Sequence, residues 1–328
     1  MSEMRVQVVK KPTVISLFAG CGGSSLGYKM AGFKELLAID FDSNVVETFK
    51  LNFPSIPAWE RDIKTVTGKE ILEACRLKRG ALDVLDGSPP CQGFSLSGRR
   101  DVNDPRNDLF QECVRLIEEI RPKVFVMENV GGMVKGKMKG RFIEIMKTLK
   151  ALPYKVKCRL MNAKHYGVPQ SRSRLIWIGV RDDLGEKPSF PTPQRRTIPV
   201  KRALAGLPED PSRTLSDLGI EIWRKCRSGE SFDKYHPRGI WFNGCKVNPN
   251  RPCPTIEKTV MPSGGGGLFH WLHPRCLNIA ELKRVAGFPD EFQLIGNFRT
   301  QWARIGNAVM LRFMEAIASH IKRTVLQP

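Results

Sequence analysis

The chain has 328 residues, 41% hydrophobic and 26% charged, which suits one large α/β domain or one domain with a smaller insert. No apolar run approaches the roughly 18 residues of a membrane span, and the opening MSEMRVQVVKKP lacks the apolar stretch of a secretory signal. Nine cysteines without a Cys-x-x-Cys pair exclude a disulfide framework and a zinc cluster and fit reduced thiols in a cytoplasm, while 53 basic against 33 acidic residues leave a net charge of +20.

In chain order, TVISLF (13–18) reads as a buried strand, AGCGGSS as a turn, and 25–31 as a helix. ELLAID (35–40) is a strand and 43–52 a helix. ALDVLDG (81–87) is the next strand. Residues 104–119 carry apolar groups at helical spacing, and Pro122 closes that run. KVFVMEN (123–129), YKVKCRLMN (154–162) and RLIWIGV (174–180) add three strands. This alternation predicts an α/β fold, a doubly wound and mainly parallel sheet with helices on both faces. Residues 133–181 hold thirteen Lys or Arg and one acid, Glu144, as a phosphate-tracking face requires. Residues 182–275 are rich in Pro, Gly and Arg with little periodicity, and read as a separate small domain or insert. A helical pattern returns at Asn278, and 307–320 reads as one amphipathic helix. The chain therefore divides into 1–181, 182–275, and a segment 276–328 that returns to the first domain.

Chemistry-bearing residues fall at the ends of these strands. Gly20, Gly22 and Gly23 join the first strand to a helix, and such a turn lets a ligand approach the backbone beside a positive helix end. Asp40 ends the second strand, where a carboxylate typically meets ribose hydroxyls, and Phe41 beside it can stack on a base. Asp62 is placed to accept from an adenine amino group, with Ile63 packing below. Together they indicate an adenosine cofactor, with NAD and S-adenosylmethionine both open. Cys91 follows the strand 81–87 in a polar loop stiffened by Pro89 and Pro90, an unsuitable place for a core thiol and a suitable one for a nucleophile whose ordinary pKa is about 8.5. Glu128 ends the following strand. In QSRSR (170–174), Arg172 and Arg174 point to one side if the segment is extended. Thiol, carboxyl and guanidinium suit attack on a flat, amide-like ring.

These stretches resemble the DNA cytosine-5 methyltransferases: SLFAGCGGSS, AIDFD, RDI, DGSPPCQGFS, NDLF, VMENV, NAKHYGVPQSRSR and RIGNAV occur in that family's order and frame nearly the whole chain except 182–275. The resemblance implies a Rossmann-like methyltransferase fold with a smaller, irregular target-recognition domain over 182–275. It implies that Cys91 attacks C6 of a flipped-out cytosine, that Glu128 contacts N3 and the exocyclic amine, and that Arg174 holds O2 with Arg172 in support. Asn129 is expected to hold the loop. S-adenosylmethionine, leaving as S-adenosylhomocysteine, is expected against Phe18, Gly20, Gly23, Asp40 and Phe41, and against Asp62, Ile63, Pro89, Leu109 and Asn307. No metal is implied. Ser95, Ser97 and Arg99 fall on the segment expected to close over double-stranded DNA. Arg195, Arg196, Arg224, Lys225, Arg227, Arg238 and Lys246 are candidate readers, because Arg or Lys to guanine is the commonest specific contact. The expected protein is a cytoplasmic monomer of the compact prokaryotic or phage type, with a companion restriction endonuclease as a further partner. The chain departs from the family's pattern in MLRF after RIGNAV, in Asn278 and Ala280, and in Asp40 where Glu is commoner. Two rivals keep the scaffold: the tRNA-methylating branch, whose Cys-Phe-Thr tripeptide is absent here, and a non-catalytic DNA-binding regulator. A third, an NAD dehydrogenase, leaves QSRSR and PPCQ unexplained.

Overall fold

TVISL is buried at all five positions and forms β1 (Thr13–Leu17), as an unbroken run must in a sheet covered on both faces. The computed structural model describes residues 10–89, 109–134, 139–239, 241, 244–260 and 267–327. From β1 the chain passes through α1 (Gly23–Met30), β2 (Lys34–Asp40), α2 (Ser43–Asn52), β3 (Ala58–Glu60) and α3 (Gly68–Ala74). It continues through β4 (Val84–Gly87), α4 (Leu109–Ile120), β5 (Val124–Val130), α5 (Lys139–Ala151), β6 (Tyr154–Asn162) and β7 (Ser173–Arg181).

Among the described residues these seven strands form one sheet in the order β3-β2-β1-β4-β5-β7-β6. The pairs through β5 are parallel, whereas β7 runs antiparallel to both β5 and β6. The strand order reverses between β1 and β4, and in open α/β sheets ligands sit beyond the carboxyl ends at such a switch point. Leu17 pairs with Gly87 there, so the glycine turn and the loop before Cys91 leave the sheet side by side.

Residues 182–275 hold only short elements among those described: α6 (Val200–Ala203), α7 (Asp217–Lys225), β8 (Cys245–Lys246) and β9 (Leu268–Phe269). Phe232, Trp241, Ile256 and Phe269 nonetheless belong to the same contiguous apolar cluster as Val14 of β1. The chain then forms α8 (Ile279–Ala286), α9 (Phe298–Asn307) and α10 (Leu311–Ile321). Asn278 caps α8 in a reciprocal box with Glu281, and Glu281 also makes a two-pronged pair with Arg275 at 2.8 Å on each oxygen.

The helix expected over 307–320 is α10, which starts later, at Leu311. Asn307 ends α9, Ala308 is extended, and α10 starts at Leu311. The break lets the 308–309 backbone lie against α1. A methyl group on Gly23 would collide with the Val309 carbonyl, and one on Gly27 with that of Leu311. Helix α1 also begins at Gly23, before the expected start. Among the described residues, β3, α3 and α5 escaped the sequence pattern. β3 has three residues and α5 buries only Ile145 and Leu149, so neither shows a clear period.

Candidate active site

The cofactor edge is shaped by three left-handed residues in succession. Phe18 has φ +53°, Gly20 +57° and Gly22 +95°, which folds the chain back sharply from β1 into α1. The Gly20 N–H donates to Asp40 Oδ2 at 2.9 Å, and the Asp42 N–H donates to Asp40 Oδ1 at 3.1 Å. The turn therefore fixes the Asp40 carboxyl, while burial raises its pKa against those two hydrogen bonds. A side chain on Gly20 would meet no atom within 4 Å, so the turn is open on its outer side. Phe41 is 70% exposed, and Asp62 is exposed with one oxygen accepting from the Lys64 N–H. Ile63 is buried below it, as is Pro89 beside Gly87 and Ser88. Leu109 opens α4 half-buried, and Asn307 ends α9 exposed. Arg304 brings α9 here, pairing with Asp42 at 2.9 Å and donating to Asn44 at 3.1 Å. An open glycine turn, a fixed carboxyl at a strand end and an exposed aromatic ring fit an adenosine.

The thiol edge is built on β4, β5 and β7. Cys91, Ser95, Ser97 and Arg99 lie outside the described residues. Pro89, two positions before the thiol, accepts from Asn129 Nδ2 at 3.3 Å, which ties the loop to β5. The antiparallel direction of β7 sets its first residues beside the last residues of β5, and Val130 pairs with Arg174. Glu128 Oε1 consequently stands 2.7 Å from Arg174 Nε, both side chains 12–13% exposed. Arg174 Nη1 donates to the Ser173 carbonyl at 2.8 Å. The sequence placed these two residues at one edge without showing that they pair.

Arg172 lies close to Glu128 and Arg174 but is only 3% exposed, and its Nη atoms donate to the Ile256 carbonyl (2.9 Å) and the Gly306 carbonyl (2.6 Å). Burial, with Arg174 adding to it, pulls its pKa well below the ordinary arginine value, against the pull of Glu128. Two residues that sequence reasoning passed over complete this loop. Asn162 Oδ1 accepts from the N–H of Arg172 and of Lys164, and its amide donates to the hydroxyls of Ser171 and Ser173. Gln170 is fully buried and accepts from the Ile256 N–H. Within β4, Asp86 accepts from Ser24 Oγ at 2.5 Å and Tyr28 Oη at 3.3 Å, and burial raises its carboxyl to about 7. Glu35, holding Ser25 from β2, is likewise pushed up to about 7 by burial. No signal in the sequence marks either acid as buried.

The other eight cysteines are free thiols. Burial raises Cys21 and Cys276 to about 12 and Cys253 well above its ordinary value, so these behave as small apolar groups.

In 182–275, Arg195, Arg196, Arg224, Arg227 and Arg238 are exposed, as readers must be. Lys225 is exposed and pairs with Glu221 along α7. Lys246 is a correction. It is 8% exposed, its ammonium donates to the Trp223 carbonyl and sits 3.5 Å from the centre of the Trp223 ring. β8 turns its side chain inward, where it stacks on an indole instead of meeting a base.

Among the described residues no group of three or more His, Cys, Asp or Glu side chains is arranged to hold a metal ion. No helix among them is long and apolar enough to cross a membrane.

Residues 12–323 match the family model described as C-5 cytosine-specific DNA methylase. The type II methyltransferase M1.HphI of Haemophilus parahaemolyticus is 33% identical over 324 residues, spanning 94% of this chain and 86% of its own. The type II methyltransferase M.DdeI of Desulfomicrobium norvegicum is 40% identical over 372 residues, spanning 94% of this chain and 88% of its own. In structure, a DNA modification methyltransferase encoded within an E. coli prophage superposes with a TM-score of 0.81 at 24% identity, over 97% of this chain and 100% of that one.

Proposed function

The chain belongs to the C-5 cytosine-specific DNA methylase family and is a DNA (cytosine-5)-methyltransferase, and from that premise we propose how its residues divide the reaction. The observation that carries the reading is the Glu128–Arg174 pair at 2.7 Å, at the sheet edge from which the loop to Cys91 departs.

Cytosine in a duplex hides its ring faces, so the base is flipped out at a cost of a few kcal/mol, which contacts to DNA recover. The Arg174 guanidinium holds the O2 carbonyl. Glu128 binds N3 and the exocyclic amine and carries the proton that N3 gains as the thiolate of Cys91 forms its bond to C6. Electron density then rests on C5, which becomes nucleophilic. The Gly20 turn, Asp40, Phe41 and Asp62 would hold S-adenosylmethionine, which would supply the methyl group to C5 and leave as S-adenosylhomocysteine. C5 next loses its proton to a base, the C6–S bond breaks, Cys91 recovers its thiolate, and Glu128 takes back the N3 proton. The paired guanidinium keeps Glu128 oriented until the base arrives.

Residues 182–275 serve as the target-recognition unit on a continuous core with the catalytic part, and Arg195, Arg196, Arg224, Arg227 and Arg238 are its candidate readers. Double-stranded DNA is the substrate, and Ser95, Ser97 and Arg99 are further candidate contacts to it. Likeness to the type II methyltransferases supports modification of one short sequence, beside an endonuclease that cuts the same sequence; action as a monomer in a prokaryotic cytoplasm is the remaining part of the proposal. Methyl transfer from labelled S-adenosylmethionine to duplex DNA, to single-stranded DNA and to tRNA tests this reading. Label in C5 of duplex cytosine supports it, and label in tRNA alone overturns it.

A further inference from the structure

The segment that leads into β7 is joined to two distant parts of the chain. Its backbone pairs with residue 253: Cys253 N–H donates to the Pro169 carbonyl at 2.9 Å, and Ser171 N–H donates to the Cys253 carbonyl at 2.7 Å. Thr255 Oγ1 donates to the Ser171 carbonyl at 2.8 Å. Gln170 accepts from the Ile256 N–H at 3.2 Å, with its amide 3.7 Å from Met310 Sδ. Arg172 spans the carbonyls of Ile256 and Gly306. Both side chains are dry, at 0% and 3% exposure.

A guanidinium in such a place costs desolvation, and an apolar side chain of like volume fills a core more cheaply. What the arginine adds is a rigid fork that holds two backbones at a fixed separation. Its partners are main-chain carbonyls, so these two bonds do not depend on the side chain at 256. Two positions along from Arg172 comes Arg174, and Asn162 holds this stretch through Ser171 and Ser173 as it enters β7.

We propose that Gln170 and Arg172 are positioning residues, a buried clasp that fixes 253–256 of the recognition region to the backbone carrying Arg174, so that engagement of the target sequence sets where that guanidinium stands. This rests on the function proposed above. It reassigns Arg172 from support of the base to support of Arg174, through hydrogen bonds that are buried at Gln170 and Arg172 and more exposed at Asn162.

The test uses the full chain on two duplexes, one bearing its methylated sequence and one with a neighbouring base pair changed. Lysine in Arg172→Lys keeps the charge, loses the fork and reaches one carbonyl at most. The expected result is a kcat on the target lowered by about 10- to 100-fold, as a small misplacement of a binding group produces. Dissociation constants for duplex DNA and S-adenosylmethionine stay near those of the wild type, and preference for the target duplex narrows. Thr255→Val removes one strand of the clasp with little change of shape, and the same changes are expected there at smaller size. An unchanged kcat per folded molecule and an unchanged preference in a folded Thr255→Val protein overturn the clasp. A loss of DNA affinity that tracks kcat in Arg172→Lys also overturns it, by showing direct contact. Wild-type protein that puts no methyl group on C5 of cytosine overturns the proposed function instead, so the two failures are distinct.

Discussion

Glu128 and Arg174 meet at 2.7 Å because β7 runs antiparallel to β5 and delivers its first residues to the edge where β5 ends. The pair is nearly buried, so each charge depends on the other for solvation. Glu128→Gln keeps the shape but cannot give or take the N3 proton. Its kcat is expected to fall by about 10²- to 10⁴-fold with duplex binding retained, measured by label transfer and by filter binding. Arg174→Lys is expected to lose activity as well, because an ammonium cannot face both Glu128 and a carbonyl as the planar fork does.

Gly20 is left-handed and faces open space. Gly20→Ala is therefore expected to fold, losing about 1–2 kcal/mol for the left-handed backbone. The added methyl group would stand in the open space that the proposed function assigns to the cofactor. Calorimetric titration with S-adenosylhomocysteine is expected to show weakened binding in a protein whose melting curve remains cooperative.

Burial raises Asp86 and Glu35 to about 7, well above the usual carboxylate range of about 4. Between those limits the folded chain binds more protons than the unfolded chain. Stability contributed by these groups is therefore greatest at the acid end of that window and is lost as pH rises towards 7. Asp86→Asn removes one of the two titrations. The fall in melting temperature from pH 6 to pH 8 is expected to be smaller in this variant than in the wild type, and an identical fall contradicts the assignment.

Lys246 is packed on Trp223 and away from solvent. Lys246→Met is expected to cost about 0.5–2 kcal/mol of stability, the range of a desolvated cation over an indole, and to leave the methylated sequence unchanged. Alanine at exposed Arg227 or Arg238 is expected to do the opposite, weakening DNA binding with little change in melting temperature. Sequencing of the methylated sites and thermal melts of the same proteins separate the two classes.

Much of this site was legible in the residues. β1 carries no charge along its length, and β2, β4 and β5 each carry an apolar stretch bounded by an acid, so all four could be found. Ligand-binding groups of an open α/β sheet sit just past strand ends, so Asp40 and Glu128 could be placed. Residue type does not reveal burial. Lys246 and Arg172 look like surface cations in the sequence and are interior groups in the fold. Nor does local pattern reveal long-range pairing. The contacts of Arg172 with Ile256 and Gly306, and of Arg304 with Asp42, join residues far apart in the chain. The break at Ala308 was hidden because residues on both sides of it are apolar at helical spacing, and only the close approach of α1 makes the extended turn necessary.

Under the proposed function this chain methylates C5 of cytosine in DNA through Cys91. The most direct measurement is bisulfite sequencing of plasmid DNA from a host without cytosine methylation, expressing either the wild-type chain or Cys91→Ala. Protected cytosines are expected at one recurring short sequence in the wild type and none in the variant. Protection of the same sites by a folded Cys91→Ala protein would contradict the role of the thiol, and no protection by a folded wild-type protein would contradict the reaction itself.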